Sequence, residues 1–471
     1  MKPSAFFLCA FLSVGSAGLP GIHQVFAQSR LTKPENKNKA LAQKLDQVMG
    51  ASFNKDGLGG VLLVAEQGTV VYEKAIGKAN IELNTPLSTS NVFRIGSITK
   101  QFTAVAVLQL MEKGLLQPDD DITKFIPDYP VHGTHISVAN LLSHTSGIKN
   151  CTEIEGLSPD IRRRKNSVTD LIGLFKDQPM EFAPGTAYQY SNSNYVLLGY
   201  IIEKLSGESY EQYIRKHIFV PLGMTHSYYD TPEKIIPGRV TGYMQLRGDT
   251  VVNADYLDPS YAYAAGALVM TVEDLFKWHT GLYRYSILKK ETLAKAFTPF
   301  TLSNGQKTKY GFGWALDSLG GSAAIQHSGS INGFSAYELY LPTEDVFAVC
   351  FSNRMNINTG GPAILAASIA TGTSNTREIE LTKEQMTRYT GTYKFKLDQP
   401  STTKIFIRDG HLFMQDSRAP SAWQMHFTKP AEFYMYEVFP NNHVFSFDGS
   451  GKVTGFVIHA PGYTSTITKV E

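Results

Sequence analysis

The pattern of apolar and polar residues before the stretch 371–377 differs from the pattern after it, which suggests two structural units. Apolar runs of strand type predict a β-hairpin over residues 59–75 and strands over 323–327, 334–341 and 346–352. Between them, apolar residues recur with helical spacing, beginning with a long helix that opens at Ser97. Strands at both ends of this region with helices between them predict an α/β fold, in which distant segments close one mixed sheet and a helical lobe is inserted.

After the small, polar stretch 371–377, the pattern becomes one of short strands and tight turns. Hairpins are predicted around Asp409-Gly410 and around residues 448–451. This pattern over residues 378–471 is typical of a small antiparallel all-β barrel. The stretch 371–377 is therefore interpreted as a linker between two domains.

Residues 1–27 are interpreted as a secretory signal peptide and not as part of the fold. Lys2 supplies a positive charge, residues 5–14 are apolar but too few to span a bilayer, and Ala27 offers a small residue for cleavage. An uncleaved anchor is the alternative. We expect a secreted or periplasmic protein with no membrane span after cleavage, whose first domain covers residues 28–370.

Composition narrows the classes of partner. Hydrophobic residues make up 42% of the 471 residues and charged residues 18%, which is typical of a globular protein. The 44 basic and 42 acidic residues leave a net charge of +2, which argues against a nucleic-acid partner. Metal-ligand spacings and phosphate- or dinucleotide-binding glycine motifs are absent from the sequence, so we expect no metal and no cofactor. Cys151 is expected in a polar loop and Cys350 in a buried strand.

A serine three residues before a lysine places a hydroxyl and an amine on one face of a helix, where the amine can activate the hydroxyl. Only Ser97 follows a glycine and opens a long apolar helix that would bury the amine of Lys100. Burial matters because a lysine pKa of about 10.4 must fall by about three units before the amine can act as a base near neutrality. Ser97 is the candidate nucleophile and Lys100 the candidate base, with an N-capping serine as the alternative. The other copies of the pattern are Ser52/Lys55, Ser146/Lys149, Ser286/Lys289 and Ser401/Lys404.

With its flanking residues, Ser97-Ile98-Thr99-Lys100 resembles the first motif of the serine β-lactamase and penicillin-binding-protein superfamily. Residues 141–147 read Leu-Leu-Ser-His-Thr-Ser-Gly, which is similar to a signature of the class C-like branch, with its family VIII esterases, D-aminopeptidases and DD-carboxypeptidases. Matches continue in order at Phe182-x-Pro184-Gly185, Tyr190-Ser191-Asn192 and Pro221-Leu222-Gly223-Met224.

The resemblance covers about residues 40–370 and implies a serine β-lactamase-like fold, with an antiparallel sheet flanked by helices and a helical lobe. Residues 378–471 resemble the lipocalin-like appendage of some of these hydrolases. The resemblance implies that such a barrel shapes access to the site or mediates oligomers. A packed accessory domain without a ligand is the alternative, and its aromatic residues are expected to form its core.

For the second motif, the resemblance implies that Tyr190 exchanges protons with Lys100 and that Asn192 binds substrate. The alternative is that these residues belong to an aromatic-rich packed loop. His144 of the neighbouring signature is expected to hold a turn. The cationic run of residues 162–165 is expected to be a solvated face, with recognition of an acidic partner as the alternative.

The third family motif, Lys-Thr-Gly, has its counterpart in His327-Ser328-Gly329, which follows a predicted strand. The similar sequence His279-Thr280-Gly281 is set aside, because Gly281 is expected to end a helix. Gly329 and Ser330 are the remaining candidate substrate-binding residues. We expect the backbone N–H groups of Ser97 and Ser330 to form the oxyanion hole.

Histidine in place of the motif's lysine weakens the expected binding of a substrate carboxylate, because an unperturbed imidazole is mostly neutral at pH 7. We therefore expect a serine hydrolase that forms an acyl-enzyme on Ser97 with ester, amide or small-peptide substrates. His327 is also a candidate for proton transfer with Tyr190. The alternative function is a penicillin-binding-like receptor, or a β-lactamase, with slow or no turnover.

Overall fold

The structure is a computed structural model of the chain, and it describes residues 34–131, 133–246, 250–372, 379–395, 402–417, 422–435, 442–460 and 463–470. The predicted signal peptide and most of the predicted linker lie outside these residues, so both stay predictions. Within the described residues, the structure contains no helix that combines the length and the apolar character needed to cross a bilayer.

The larger unit contains a central antiparallel sheet and several short ladders. Its strands are β1 (Gly60–Glu66), β2 (Thr69–Ile76), β3 (Lys78–Asn80), β4 (Thr85–Pro86), β5 (Phe93–Arg94), β6 (Tyr228–Tyr229), β7 (Tyr243–Gln245), β8 (Val251–Asn253), β9 (Leu268–Met270), β10 (Ala315–Leu319), β11 (Ser322–Ile331), β12 (Phe334–Leu341) and β13 (Val346–Ser352). The central sheet has the order β10-β11-β12-β13-β1-β2, so the predicted N-terminal hairpin pairs with the predicted late strands. The expectation that distant segments close one sheet is confirmed, but every ladder of this sheet is antiparallel, so the sheet is not mixed.

Helices cover both faces of this sheet and build the inserted lobe. They are α1 (Pro34–Ser52), α2 (Thr99–Glu112), α3 (Val138–Leu142), α4 (Asp160–Arg163), α5 (Val168–Phe175), α6 (Asn192–Ser206), α7 (Tyr210–Ile214), α8 (Pro259–Gly266), α9 (Val272–Tyr283), α10 (Lys290–Ala296) and α11 (Gly360–Thr371). Short 3₁₀ turns lie at Gly96–Ile98, Ile122–Lys124 and Cys151–Glu153, and a π-helical turn at Arg215–Phe219 follows α7.

Strands β1 and β13 read as continuous apolar runs because both faces of the central sheet are covered. In β1, Val61 and Leu63 pack into the core formed with the helical lobe, whereas Leu62 and Val64 pack into the core formed with α1 and α11. Cys350 of β13 lies in the second core, as predicted for a buried strand residue. The sheet therefore acts as the partition between two apolar layers.

The tail folds as a separate sheet of nine antiparallel strands. They are β14 (Gly391–Phe395), β15 (Thr402–Arg408), β16 (His411–Asp416), β17 (Trp423–Gln424), β18 (His426–Lys429), β19 (Glu432–Tyr434), β20 (Asn442–Phe447), β21 (Val453–Ala460) and β22 (Tyr463–Lys469), preceded by helix α12 (Lys383–Tyr389). The strand order β17-β16-β15-β14-β22-β21-β20-β19-β18 places β17 and β18 at opposite edges. Because only Met425 separates these edge strands in sequence, the sheet curls into an almost closed barrel, as expected.

The aromatic residues of the tail divide into two sets. Phe427 and Phe433 belong to the barrel core, as predicted. Phe406 and Phe413 are only half-buried and pair with each other across β15 and β16, with ring centroids 6.1 Å apart, so they do not belong to the core cluster. Tyr434 packs outside the barrel core, against Val48 of α1 and Leu365 of α11, so it joins the barrel to the larger unit. Phe439 lies outside the described residues.

Two further expectations from the sequence are wrong, besides the core positions of Phe406, Phe413 and Tyr434. Gly281 does not end a helix, because α9 continues to Tyr283 and Gly281 lies inside it. A Cβ atom at Gly281 would lie 2.4 Å from Leu222 Cδ2, so the glycine permits close packing. Cys151 is not in an open polar loop: it is buried in its 3₁₀ turn, where its backbone N–H donates to Ser193 Oγ at 2.9 Å.

Phe351 of β13 offers a test of the central sheet. Its ring is fully buried and lies 5.8 Å from that of Phe93 in β5, so Phe351→Ala should leave a cavity and lower the free energy of unfolding by about 3–5 kcal/mol. The measurement is urea unfolding followed by circular dichroism. Val70→Ala, at an exposed position of the edge strand β2, is the control and should change the free energy of unfolding by no more than about 0.5 kcal/mol. Equal effects of the two changes would contradict this description of the core.

Candidate active site

Ser97 lies in the 3₁₀ turn Gly96–Ile98, which leads directly into helix α2. The turn is held between the short strand β5 and the edge of strand β11. Gly96 has a φ of +51°, and a Cβ atom there would lie 2.9 Å from the backbone nitrogen of Ser330. Glycine is thus required at this position both by the backbone conformation and by the close approach of β11.

The amine of Lys100 faces Ser97 from the first turn of α2. Lys100 is 0% exposed, and its Nζ donates hydrogen bonds to Ser97 Oγ at 3.0 Å, to Asn192 Oδ1 at 2.8 Å and to the backbone oxygen of Ala265 at 2.8 Å. Asn192 is the first residue of α6, and Ala265 belongs to α8. Three helices of the lobe therefore meet at one buried nitrogen.

Burial lowers the pKa of Lys100 to about 7, because the charged amine loses its hydration and no carboxylate among the described residues compensates for the loss. The thiol of Cys151, also buried nearby, has its pKa raised to about 11 and is neutral at pH 7. Near neutrality a large share of Lys100 is therefore an uncharged amine that can accept a proton.

Tyr190 lies over the amine of Lys100. Lys100 Nζ is 4.8 Å from the centre of the Tyr190 ring, and the Tyr190 hydroxyl is buried. Burial raises the pKa of Tyr190 above its ordinary value, and the Ser97 hydroxyl opposes part of that rise. Tyr190 is therefore a neutral phenol at pH 7, beside both Ser97 and Lys100.

His144 connects the Leu-Leu-Ser-His-Thr-Ser-Gly segment, residues 141–147, to the loop that carries Tyr190. Its Nδ1 accepts the backbone N–H of Ser191 at 3.1 Å, and its ring centroid lies 4.2 Å from that of Tyr190. The residue has a φ of +58°, and burial holds its pKa well below the ordinary value. These contacts support the expected structural role of His144.

His327 is fully engaged by its neighbours. Its Nδ1 lies 2.6 Å from the backbone oxygen of Ser328, and its Nε2 lies 2.8 Å from the hydroxyl of Tyr310. Because a carbonyl oxygen can only accept, Nδ1 carries the proton and Nε2 accepts from Tyr310. Burial and the charge of Lys100 lower the pKa of His327 to about 4, so the ring is neutral at pH 7.

Strand β11 brings its backbone against the turn that carries Ser97. A Cβ atom at Gly329 would lie 1.9 Å from the backbone oxygen of Ile95 and 3.3 Å from the backbone nitrogen of Ser97. The same contact holds Ser330 beside Gly96. The backbone nitrogens of Ser97 and Ser330 are thus close together, which is compatible with the oxyanion hole predicted for them.

A cavity of about 240 Å³ opens in front of Ser97. Ser330 and Asn332 line it on the side of the sheet, and Cys151, Arg162 and Asn192 line it on the side of the helical lobe. Among the described residues, no group of three or more His, Cys, Asp or Glu side chains is arranged to hold a metal ion.

The structure thus brings together all seven site residues that the sequence predicted. They are Ser97, Lys100, Tyr190, His327, Asn192, Gly329 and Ser330. The roles of these residues stay predictions. Sequence reasoning missed the backbone oxygen of Ala265 and the hydroxyl of Tyr310. Neither carries a sequence signal, since a backbone oxygen is present at every residue and Tyr310 lies far from every motif in sequence.

Known proteins share both the sequence pattern and the fold. The family model described as Beta-lactamase matches residues 40–370. Penicillin-binding protein 4* of Bacillus subtilis (strain 168) is 30% identical over 350 residues, which cover 71% of this chain and 76% of that protein.

Two solved structures extend the comparison. The D-amino acid amidase from Ochrobactrum anthropi SV3, complexed with L-phenylalanine amide, is 25% identical with a TM-score of 0.61, covering 72% of this chain and 99% of the amidase. The octameric penicillin-binding protein homologue from Pyrococcus abyssi is 23% identical with a TM-score of 0.63, covering 92% of this chain and 100% of that one. The second likeness shows a shared fold that extends into the tail.

Gly329→Ala tests the contact between β11 and the turn that carries Ser97. The added methyl group would collide with the backbone oxygen of Ile95, so strand or turn must shift, at a cost of about 1–3 kcal/mol. We expect a lower melting temperature in differential scanning calorimetry. Gly50→Ala is the matched control, because nothing lies within 4 Å of a Cβ atom there, and it should leave the melting temperature unchanged or higher. Unchanged melting of Gly329→Ala would contradict the close approach.

Proposed function

Because the chain belongs to the β-lactamase family, we propose that it is a serine hydrolase of the class C-like branch that cleaves esters, amides or small peptides through an acyl-enzyme on Ser97. The observation that carries the proposal is the buried amine of Lys100, with a pKa of about 7, at 3.0 Å from Ser97 Oγ. A serine hydroxyl becomes a useful nucleophile only when such a base removes its proton.

Acylation begins when Ser97 Oγ attacks the substrate carbonyl and its proton passes to the neutral amine of Lys100. The carbonyl oxygen becomes an oxyanion, which the backbone N–H groups of Ser97 and Ser330 stabilise. These donors are fixed by backbone contacts, so they need little reorganisation as the charge develops. Asn192 accepts a hydrogen bond from Lys100 and keeps the amine directed at Ser97.

Tyr190 is the proton donor to the leaving group. Its phenol is neutral at pH 7 and lies above the amine that has just gained a proton. The phenol donates its proton to the departing oxygen or nitrogen, and the phenolate then takes the proton from the lysine. This returns Tyr190 to a neutral phenol and Lys100 to a neutral amine. Water then cleaves the acyl-enzyme, and no cofactor takes part.

The neutral His327 bears on substrate choice. A lysine at this position would be a fixed cation, whereas His327 has a pKa of about 4 and contacts Tyr310 and Ser328. The third motif therefore offers no positive charge to a carboxylate, which supports simple esters and amides over β-lactams. The likeness to the D-amino acid amidase supports an amide as one substrate class.

A penicillin-binding-like receptor with slow or no turnover is the second candidate. It is favoured by the identity of 30% to penicillin-binding protein 4*, whose name records binding. We also propose that the predicted signal peptide directs export of the protein to the periplasm or the medium. Residues 378–471 are proposed to form a lipocalin-like barrel. The octameric homologue from Pyrococcus abyssi supports an oligomeric assembly.

Ser97→Ala tests the nucleophile. We expect the variant to lose labelling by a fluorophosphonate probe and at least about 1,000-fold in hydrolysis of p-nitrophenyl butyrate, because no hydroxyl remains to form the acyl-enzyme. Ser286→Ala is the control, since Ser286 is exposed and begins another Ser-x-x-Lys sequence, and it should retain both properties. Equal labelling and turnover in wild type and Ser97→Ala would rule out Ser97, whereas labelling of wild type without turnover would favour the receptor.

The pKa of Lys100 sets the pH dependence. The amine must be neutral to accept the proton, so kcat/KM for p-nitrophenyl butyrate should rise with pH and level off above an apparent pKa of about 7. Steady-state kinetics between about pH 5.5 and about 8.5 measure this limb. Lys100→Arg should be nearly inactive throughout, because a guanidinium stays protonated. A wild-type profile that is flat across this range would contradict Lys100 as the base.

A further inference from the structure

Arg162 lies at the cavity in front of Ser97, which the sequence did not indicate. The run of residues 162–165 was expected to be a solvated face, and all four residues are indeed exposed. Of these four, only Arg162 also lines the cavity, together with Ser97, Asn192 and Tyr261. One cation of the run therefore stands at the substrate entrance.

The backbone that carries Arg162 is fixed on both sides. The backbone N–H of Asp258 donates to the backbone oxygen of Arg162 at 2.9 Å, and Asn166 Nδ2 donates to that of Ile161 at 2.8 Å. The side chain of Ile161 is buried, which holds α4 against the lobe. The guanidinium carbon of Arg162 lies 6.0 Å from the ring centre of Tyr261, a buried residue that also lines the cavity.

Within the part of the chain that the structure describes, no ion pair includes Arg162. Its neighbour Lys165 is paired with Glu233 at 3.0 Å. The carboxylate of Asp258, whose own backbone N–H contacts Arg162, accepts the N–H and the hydroxyl of Ser260 at the start of α8. Arg162 therefore presents a positive charge to the cavity without a carboxylate partner.

The position of Arg162 also indicates which half of a substrate it meets. Under the proposed function, the leaving group lies against Tyr190, which protonates it. Tyr190 does not line the cavity that contains Arg162. The cavity therefore receives the acyl half of the substrate, beyond the carbonyl held at Ser97 and Ser330.

We propose that this cavity is an acyl pocket in which Arg162 binds a carboxylate at the far end of the acyl group. The substrate class is then esters or amides of dicarboxylic acids, including those of acidic amino acids linked through one carboxyl group. The inference rests on the proposed function, because it assigns the two halves of the substrate from the roles of Ser97 and Tyr190. A guanidinium suits this task, since it can form two parallel hydrogen bonds with a carboxylate.

Binding to the Ser97→Ala variant tests the pocket without chemistry. The probes are the p-nitrophenyl monoester of glutaric acid and p-nitrophenyl valerate, which share a leaving group and acyl length but differ in the terminal carboxylate. Isothermal titration calorimetry should show tighter binding of the glutaryl ester by about tenfold, and adding Arg162→Ala should abolish that preference. Arg163→Ala is the matched control, an exposed neighbour on the same helix that does not line the cavity, and it should keep the preference.

Turnover by the otherwise wild-type protein gives the second readout. Arg162→Ala should lower kcat/KM for the glutaryl ester about tenfold, mainly through KM, and leave the valeryl ester within about twofold. Equal loss with both esters, equal binding of both esters by Ser97→Ala, or the same effect from Arg163→Ala would overturn the proposal. If Ser97→Ala discriminates between the esters while the wild type hydrolyses neither, Arg162 is a carboxylate-binding residue, but the proposed hydrolase function fails. The assignment of the cavity to the acyl half of the substrate then fails with it.

Discussion

The burial of one amine organises the helical lobe of the molecule. A charged lysine without a carboxylate partner is costly in an apolar interior, so the surroundings of Lys100 must satisfy its N–H groups by other means. Asn192 and the backbone oxygen of Ala265 do so, and they come from α6 and α8. Under the proposed function, the lobe has to assemble around α2 before Ser97 has a base. The reactivity proposed for the serine then depends on tertiary packing that its own motif does not contain.

Helix α2 is tied at further points besides Lys100 to α8 and to strand β9, which follows it. Thr103 Oγ1 donates to the backbone oxygen of Ala264 at 2.7 Å, and Thr99 Oγ1 accepts the backbone N–H of Leu268 at 3.2 Å. Within α8, Tyr263 has a φ of +42°, which a residue with a bulky side chain adopts only when its neighbours hold it there. The strained backbone around Tyr263 is therefore adjacent to the carbonyl oxygens that receive the side chains of α2.

Much of the fold was predictable, because the strands that matter are apolar runs bounded by turns. Strands β12 and β13 have the predicted limits. The motifs, taken in their order along the chain, identified side chains that the structure brings together at one site. Prediction failed where a residue acts through a distant neighbour. Gly281 has the local pattern of a helix end, yet glycine is needed there because of the close contact with Leu222. Arg162 reaches the cavity only because α4 packs beside α8.

The contact of Tyr434 with Val48 and Leu365 has a consequence for how the protein unfolds. The barrel shares buried apolar surface with α1 and α11, and these helices in turn cover one face of the central sheet. Loss of the barrel would expose part of the layer that protects β1 and β13. The stabilities of the barrel and the larger unit are thus coupled through α1 and α11. A ligand or partner that stabilises the barrel therefore also stabilises the sheet on which Ser330 lies.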